Sequence, residues 1–518
     1  MKLSRLLASL REKLCLHPQV LFYSAGFLIV SAWTLLRFFT TSSTFDLVTQ
    51  QLVARSWIHG SLGHISLGTT NYIFKLLFLY IPADLLPGSP RLKLILVTLL
   101  INLATFFLLF KVLARILKEF GVKADRYLGL TILWLASISG FVFWSQYANS
   151  RNLEVVAGMY LIYLGLRYLR SPNRTLAIGT ALFASILFFD DSLQIYMAAL
   201  PLLIYAFLFA NKKTWRRSGY LALIIAAGLA GSQIIFWLAS RLLKIDFTSG
   251  GSFLVHQSLS SMIHSVATAA KTTLTIFSGG SSVSWWREAL NLIFIGGAAA
   301  AFVWAGLRRL IPRRLAVFVA VYYLCNEAVY VISGQAAQPG TARYLILLVP
   351  ITALAVSVSA KYFRGGYLIP AGLALVICLN AAAVGRALAN NWDTGFPADA
   401  HLKSIASYVN QQQDNLAYAS MDSALPVSYY KYAPRTHFVA LACAEPKLQT
   451  ARSVPSSSLP RSEAPVPLIL DGTSIKNAPS VCTEQMIISQ LGSPISIGKT
   501  NDGSSVLMYP AATLSSLK

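Results

Sequence analysis

Residues 20–39 read VLFYSAGFLIVSAWTLLRFF, and residues 43–60 read STFDLVTQQLVARSWIHG. The first stretch is almost wholly apolar and, as a helix, is long enough to cross a hydrocarbon core about 30 Å thick. The second stretch is mixed, and Asp46 stands close to the point where such a helix would leave the membrane. Together they predict a membrane-spanning helix followed by a loop that carries polar and charged side chains at the membrane surface.

Similar apolar runs recur along the chain as far as residue 387. The protein has 518 residues, of which 55% are hydrophobic and 12% charged, whereas soluble domains carry about 25% charged residues. Eleven runs are candidates for membrane helices, at about 20–39, 94–112, 127–145, 154–169, 175–190, 194–210, 218–240, 288–307, 315–333, 343–360 and 366–387. The sequence therefore predicts a polytopic α-helical membrane protein with about 11 transmembrane helices.

Basic residues cluster in alternate loops between these runs, at 111–126, 167–174, 212–217, 308–314 and 361–364. By the positive-inside rule these loops are cytoplasmic. The N-terminus is then cytoplasmic and the C-terminus extracytoplasmic, in the cell (inner or plasma) membrane. The formal net charge of +23 is thereby explained as a topology signal. No groove-reading motif accompanies the positive charge, so we expect no nucleic-acid partner.

The chain from residue 388 onward is balanced in charge, with nine basic and nine acidic residues. Its patterns predict helices in AHLKSIASYVNQQQ and CTEQMIISQL, strands in LAYAS, THFVALA and VPLIL, and a hairpin turning at Asn501-Asp502-Gly503. We expect two domains. A transmembrane domain spans 1–387 and contains a first outer loop at about 40–93, and a small extracytoplasmic α/β domain spans 388–518.

Two cysteines, Cys443 and Cys482, fall in this outer domain. Disulfides persist in compartments outside the cytoplasm. We expect a structural disulfide between the two residues, and the alternative is a pair of buried free thiols.

Acidic residues of the membrane part that lie away from the basic loops gather near the predicted outer ends of helices. They are Asp46, Asp84, Glu154, Asp190, Asp191, Asp246, Glu288 and Glu327. A charge at membrane depth is costly and usually marks function. A transporter more often places such groups near the midplane on broken helices. The distribution therefore favours chemistry at the outer interface.

Asp46 has two interpretations. Ser43 and Asp46 have the spacing of a capping box, so Asp46 can cap an interfacial helix that ends near Gly60. Alternatively, its carboxylate faces a cavity and serves as a general base or positions an acceptor. The two interpretations are compatible, because a residue that caps a helix N-terminus can still face a ligand.

The layout resembles the GT-C superfamily of integral-membrane glycosyltransferases, and most closely its protein O-mannosyltransferase and aminoarabinose-transferase-like branch. The stretches that carry the resemblance are FDLVTQQLVARSWIHG, RNLEVVAGMYLIYLGLRYL, FFDDSLQIYMAALP and GTARYLILLVP. The resemblance implies transfer of a sugar from a polyprenyl-phosphate carrier to a glycan, lipid or protein acceptor on the extracytoplasmic face. Such an enzyme has a lipid-linked sugar as donor substrate and membrane lipids as neighbours.

The resemblance also implies roles for particular residues. Asp46 matches the first-loop acid, Glu154 lies in the region that matches the second-loop acid, and Arg343 matches the arginine that faces the phosphate. The chemistry needs cations to stabilise a departing phosphate, supplied by Arg or Lys or by a divalent cation. The outer-edge cations that suit this task are Arg151, Arg91, Lys93 and Arg55, beside Arg343.

Other residues carry weaker signals. Asp190 and Asp191 can bind an acceptor or a metal, or can cap the helix that follows. His59 is a further weak candidate for binding an acceptor or a metal, although it lies near His64 without the spacing of metal ligands. Two further function classes stay open, namely a transporter or flippase of a lipid-linked saccharide and a non-catalytic subunit of a cell-envelope assembly.

The topology can be tested with fusions to a reporter that is active only outside the cytoplasm. A fusion after residue 390 should be active, and a fusion within 211–217 should be silent, because the second site lies in a basic, cytoplasmic loop. Reporter activity in the living cell gives the answer. The reverse pattern would invert the predicted orientation of every loop.

Overall fold

The structure is a computed structural model of the chain. The described residues are 18–40, 51–55, 58, 65–67, 75–123, 126–138, 148–211, 214–243, 245–247, 259–278, 285–333, 345, 347–362, 368–392, 400–444, 447–450, 464–470 and 484–515.

Contacts divide the chain into two compact units. Unit 1 comprises Met1–Leu35, Thr98–Trp237 and Gly250–Asn390. Unit 2 comprises Leu36–Val97, Leu238–Ser249 and Asn391–Lys518. Unit 2 thus contains both the predicted first outer loop and the predicted C-terminal domain. A boundary at residue 387 would instead assign these two segments to different domains.

The helices of the membrane part follow the apolar runs. In chain order they are α1 (Pro18–Thr40), α2 (Ile81–Leu85), α3 (Pro90–Glu119), α4 (Arg126–Ser137), α5 (Ala148–Arg170), α6 (Arg174–Asp190), α7 (Leu200–Leu208), α8 (Trp215–Leu243), α9 (Leu259–Ser278), α10 (Trp285–Leu307), α11 (Arg313–Ile332), α12 (Leu348–Tyr362) and α13 (Leu368–Trp392). Residues 51–55 are also helical. Two short strands, β1 (Ile65–Leu67) and β2 (Ile245–Phe247), pair in parallel within unit 2.

The membrane architecture predicted from hydropathy is confirmed, because helical residues coincide with each of the eleven apolar runs. Among the described residues, five helices are long and apolar enough to cross a membrane: Pro90–Glu119, Trp215–Arg241, Trp285–Leu307, Arg313–Ile332 and Ala371–Ala389. Helices dominate because lipid offers no partner to a free backbone N–H or C=O. Exposed leucines on these helices, such as Leu223 and Leu324, suit a lipid environment.

Helix α9 was not predicted. Its sequence, LSSMIHSVATAAKTTLTIFS, interrupts the apolar residues with serine, threonine, histidine and lysine, so no continuous apolar run marks it. The helix packs against α10 and α11. The Thr273 hydroxyl on α9 donates a hydrogen bond to the Glu327 carboxylate on α11. Polar residues make this helix undetectable by hydropathy, and one of them, Thr273, bonds it to α11.

A helix that is buried along nearly its whole length, α12, lies at the centre of unit 1 and packs against α4, α10 and α11. Polar side chains tie the surrounding helices together. Trp134 Nε1 on α4 donates to Asn291 Oδ1 on α10 at 3.0 Å. Asn380 Nδ2 on α13 donates to Ser137 Oγ at 3.3 Å. These bonds fix the rotation of each helix in a core that apolar packing alone would leave less specific.

Two π-helical segments, Leu76–Tyr80 and Ile195–Ala199, run directly into α2 and α7. A π-helix shifts the hydrogen-bond pattern by one residue and leaves carbonyls that need other donors. In the second segment α11 supplies them. Tyr322 Oη donates to Ala198 O at 3.0 Å, and Asn326 Nδ2 donates to Met197 O at 3.3 Å.

Helices α6 and α8 approach each other closely through small residues. A Cβ added to Gly228 would lie 2.5 Å from the Cβ of Ala184, and one added to Gly231 would clash with Ser185 Oγ. Close contact between small residues is a typical way for membrane helices to gain packing energy, since lipid provides no hydrophobic drive between them.

The C-terminal domain is an α/β fold, as predicted, and it contains a six-stranded sheet. Its elements are α14 (Ala400–Gln412), β3 (Leu416–Ser420), α15 (Met421–Tyr430), β4 (His437–Ala444), β5 (Lys447–Thr450), β6 (Val466–Leu470), α16 (Glu484–Leu491), β7 (Ser496–Lys499), β8 (Ser505–Tyr509) and α17 (Ala511–Ser515). The strand order is β5-β4-β3-β6-β8-β7. Strand β3 pairs in parallel with β4 and β6, and the outer pairs are antiparallel.

The alternation of side chains along β3 separates the two faces of this sheet. Ala417 and Ala419 pack with α14 and α15 on one face. Leu416 and Tyr418 belong to a second cluster, which includes residues of β6, α16 and β8. The predicted hairpin is confirmed between β7 and β8. Gly503 there has a φ of +84°, which a residue with a side chain rarely adopts.

The predicted disulfide stays a prediction. Cys443 lies in β4 opposite Leu448 of β5, but its side chain and the whole of Cys482 are outside the described residues. Among the cysteines whose side chains are described, Cys325 and Cys378 are free thiols.

Replacing Gly228 with alanine should lower the free energy of unfolding by about 1–3 kcal/mol, because the new methyl group overpacks the contact with Ala184. Gly219 on the same helix is the matched control, since a Cβ there meets nothing within 4 Å. Gly219→Ala should be neutral or stabilise by up to about 1 kcal/mol through helix propensity. Thermal unfolding of the purified protein in detergent compares the two variants. Equal effects would contradict the close approach of α6 and α8.

Candidate functional site

Three of the residues that the sequence singled out, Asp46, His59 and Arg343, lie outside the described residues, so their roles stay predictions. Arg151 lies in the first turn of α5, where its backbone alone is described. Side chains are described for Arg55, Arg91, Lys93, Glu154, Asp190 and Asp191. The first three belong to unit 2 and the last three to unit 1.

Glu154 is buried in unit 1, where it lies on α5 and is 3% exposed. Two residues earlier, Asn152 Nδ2 donates to Asn102 Oδ1 on α3 at 2.9 Å. Asn102 Nδ2 in turn donates to Thr34 Oγ1 on α1 at 2.9 Å. A carboxylate is costly to bury unless polar groups surround it. This row of hydrogen-bonded side chains shows that the part of α5 near Glu154 is built to hold polar groups.

Of the two neighbouring acids at the end of α6, Asp190 and Asp191, the second has a structural task. Both are buried, and Asp191 Oδ1 accepts a hydrogen bond from the backbone N–H of Leu193 at 3.2 Å. Asp191 Oδ2 accepts from Gln194 Nε2 at 3.0 Å. Both carboxylate oxygens of Asp191 therefore stabilise the turn that joins α6 to the π-helical segment Ile195–Ala199. A role for Asp190 or Asp191 in binding an acceptor or a metal stays a prediction.

Unit 2 holds a cluster of charged side chains, which we call the cationic cluster and define as Arg55, Asp84 and Lys93. Arg55 Nη2 lies 3.3 Å from Asp84 Oδ1, and Lys93 Nζ lies 3.8 Å from the same oxygen. Lys93 Nζ also donates to the backbone carbonyl of Asp84 at 2.7 Å. The Asp84 side chain is 6% exposed. Two cations thus surround one carboxylate, which leaves the cluster with one net positive charge.

A tyrosine of the C-terminal domain completes the surroundings of Arg55. The Arg55 guanidinium lies 4.8 Å from the centre of the Tyr429 ring, and Arg55 Nη1 donates to Tyr429 O at 3.1 Å. Tyr429 Oη donates to Pro90 O at 2.8 Å. Burial raises the pKa of the Tyr429 hydroxyl well above its ordinary value of 10.0, although Arg55 opposes the shift. The hydroxyl therefore stays protonated and keeps its hydrogen bond at physiological pH.

Arg91 and Lys93 were both predicted as donor-binding cations, and the first turn of α3 places them on different partners. Lys93 belongs to the cationic cluster, as described above. The Arg91 guanidinium lies 5.8 Å from the centre of the Tyr430 ring. The Tyr429 and Tyr430 rings are 5.2 Å apart. Two consecutive tyrosines of α15 therefore each face one arginine from the Leu36–Val97 segment of unit 2.

Two further residues of unit 2 were missed from the sequence. Lys75 is only 4% exposed, although a lysine is rarely buried unless it has a specific role. Its signal in the sequence is a single cation in the apolar stretch NYIFKLLFLY. Gln51, at the start of the 51–55 helical segment, is 2% exposed. Within the described part of the chain, neither polar atom of its amide has a hydrogen-bond partner.

The chemistry available to the cationic cluster is anion binding. An arginine presents five N–H donors in a planar fork that matches a phosphate or carboxylate. In the described part of unit 2, the contacts of Arg55 to Tyr429 O and Asp84 Oδ1 use two of these donors. Among the described residues, no group of three or more His, Cys, Asp or Glu side chains is placed to hold a metal ion.

Comparison with known proteins gives no match by sequence, since no family model matches the chain and no curated protein matches it. Nine chains of solved structures match its fold. One is the crystal structure of ArnT from Cupriavidus metallidurans bound to undecaprenyl phosphate. The match covers 96% of this chain and 99% of that one, with a TM-score of 0.57 and 12% sequence identity. The chain has the ArnT fold.

This match confirms the fold class that the sequence predicted, with its many apolar helices and its small C-terminal α/β domain. The likeness extends over nearly the full length of both chains, so it includes unit 1 and unit 2. At 12% identity the match concerns the fold alone.

Replacing Gln51 with methionine should raise the free energy of unfolding by about 1 kcal/mol or more. The physical reason is that a buried amide without partners carries a desolvation cost, which an apolar side chain of similar shape does not have. Thermal unfolding in detergent measures the change. Gln411→Met, at an exposed position of α14, is the control and should change little. A loss of stability in Gln51→Met would show that the amide is satisfied in the folded protein.

Proposed function

We propose that this protein is an integral-membrane glycosyltransferase, which takes a sugar from a polyprenyl-phosphate carrier and passes it to a glycan, lipid or protein acceptor on the extracytoplasmic face. The observation that carries the proposal is the fold match over 96% of the chain to ArnT, whose crystal structure contains undecaprenyl phosphate. In this proposal the lipid-linked sugar is the donor substrate, and membrane lipids surround the helices.

The cationic cluster supports the choice of a lipid phosphate as ligand. A sugar linked to a carrier through one phosphate bears a single negative charge on its phosphodiester. Arg55, Lys93 and Asp84 together carry one positive charge, which balances it. The Arg55 and Lys93 side chains are 17% and 14% exposed, so they remain within reach of a ligand while being largely shielded from water. Partial burial strengthens such charge-assisted hydrogen bonds.

The reaction assigns a task to each class of side chain. The acceptor hydroxyl loses its proton to a carboxylate base, for which Asp46 is the first candidate and Glu154 the second. The acceptor oxygen bonds to the anomeric carbon while the bond between that carbon and the phosphate oxygen breaks. The carrier leaves as a phosphate with additional negative charge. The candidates for stabilising that charge are Arg343, Arg151, Arg91, Lys93 and Arg55, and a divalent cation is the alternative.

An assay with purified protein in lipid vesicles separates this function from the two alternatives. The donor is undecaprenyl phosphate that carries one labelled sugar, tested as a hexose, a pentose and an aminopentose. A transferase consumes the donor and releases undecaprenyl phosphate. A flippase moves the labelled lipid between leaflets without consuming it, and a non-catalytic subunit does neither. A cell-envelope extract is the source of acceptor. If the protein consumes none of the donors, the proposal is contradicted.

Asp46→Asn should lower the rate of sugar transfer by about 10²–10⁴-fold, because the substitution removes the basicity while preserving the shape of the side chain. Expression and thermal stability should hardly change, since asparagine is itself a good helix cap and loss of a cap costs only about 1 kcal/mol. Transfer rates and melting curves of the same preparations test both statements. Full activity would return Asp46 to the role of a helix cap and move the search for the base to Glu154.

Arg343→Ala provides the contrast for this experiment. It should weaken binding of the lipid-phosphate donor, and Arg343→Lys should restore only part of the affinity because an ammonium group lacks the planar fork of arginine. An unchanged Michaelis constant for the donor in Arg343→Ala would exclude Arg343 from the phosphate site.

A further inference from the structure

The N–H donors of Arg55 that hold its side chain in place are distinct from those that can bind a ligand. Its Nη1 and Nη2 groups donate to Tyr429 O and Asp84 Oδ1, and its guanidinium carbon lies over the Tyr429 ring, 4.8 Å from the ring centre. Stacking and the two hydrogen bonds fix the plane of the guanidinium. The remaining N–H groups of the fork then keep a fixed direction, which is the condition for two-point recognition of a phosphate.

The platform beneath Arg55 is rigid. Tyr429 is fully buried in the hydrophobic cluster formed by α14, α15 and one face of the sheet. Its hydroxyl is anchored to Pro90 O at the first residue of α3. The ring therefore cannot turn away without breaking both its packing and its hydrogen bond. An arginine side chain has several rotatable bonds, so a fixed platform reduces the entropy that ligand binding would otherwise cost.

The same feature recurs one residue further along. Tyr430 faces Arg91 as Tyr429 faces Arg55, and the two arginines come from different segments of Leu36–Val97. Consecutive tyrosines at the end of α15 thus orient cations that the sequence assigned to the first outer loop.

We propose that Tyr429 is a positioning residue for the donor phosphate, which holds Arg55 in the orientation that binds it and makes the C-terminal domain a part of the donor site. The inference rests on the proposed function, since it names a determinant of donor binding in that reaction. Tyr429 itself contacts Arg55, and it acts on the substrate only through the guanidinium of that residue.

The test compares three variants of the full-length protein in lipid nanodiscs. Tyr429→Leu removes ring and hydroxyl, and Tyr429→Phe retains the ring. Tyr418→Leu is the matched control, because Tyr418 is an equally buried tyrosine of the same domain that packs on the opposite face of the sheet. The measurements are the Kd for undecaprenyl phosphate, the melting temperature, and kcat and KM for the donor that the wild-type protein uses.

We expect Tyr429→Leu to raise the Kd for undecaprenyl phosphate and the KM for the donor about tenfold, the effect of losing a partly buried cation–π contact. Its kcat should change less than twofold. Tyr429→Phe should stay within about twofold of the wild-type Kd, because the ring is retained. Tyr418→Leu should lose stability to a similar degree and keep the wild-type Kd.

Arg55→Lys keeps the inference testable if Tyr429→Leu does not fold. It retains the charge but neither stacks as a plane nor forms a fork, so it should raise the Kd to the level expected of Tyr429→Leu. Where both variants fold, combining them should weaken binding no further than Arg55→Lys alone, since the two residues act through one contact. Additive losses would overturn the inference.

Two other outcomes are distinguishable from each other. If the wild-type protein binds undecaprenyl phosphate and uses a donor, but Tyr429→Leu and Tyr418→Leu bind it equally well, Tyr429 is an ordinary core residue and the inference alone fails. If the wild-type protein neither binds undecaprenyl phosphate nor consumes any donor, the proposed function fails, and the positioning role fails with it.

Discussion

The absence of water inside a bilayer governs most of this structure. A polar group there must find its partner within the protein, because lipid offers none. The polar side chains of unit 1 meet this requirement in pairs and rows, such as Asn152 with Asn102 and Thr34, and Trp134 with Asn291. Each bond links two helices. These polar groups, which are costly to bury, therefore determine which helices are neighbours and which faces they present. Small residues such as Gly228 determine how closely the helix backbones approach.

Much of this architecture could be predicted from the sequence, for a physical reason. Crossing a membrane requires about twenty apolar residues in succession, which is a local property that a single segment displays. The eleven runs and the strands β3, β4 and β6 are local patterns of this kind. Helix α9 breaks its apolar residues with threonine and serine and was missed. Helix α15 contains Pro426 in its interior and was missed as well, because a proline normally argues against a helix.

The candidate site was predictable only in part. The charges of Arg91 and Lys93 and their place at the predicted outer edge were apparent from the sequence, but their partners were not. Tyr429 lies 374 residues from Arg55 along the chain and 339 from Pro90. No periodicity or motif signals a contact of that length. A division at residue 387, which stays a prediction, follows the composition of the chain, whereas the contacts group Leu36–Val97 with Asn391–Lys518.

The long separation between Arg55 and Tyr429 has a consequence for biosynthesis. Chains grow at about 5–20 residues per second, so roughly 20 to 75 seconds pass between the synthesis of these two residues. Arg55, Asp84 and Lys93 are made early, and during this interval the carbonyl and ring that hold Arg55 do not yet exist. Every membrane helix is synthesised before them. The last quarter of the chain thus completes unit 2. A ribosome that stops before α15 releases a protein that has all its membrane helices but lacks Tyr429, which holds Arg55 in the cationic cluster.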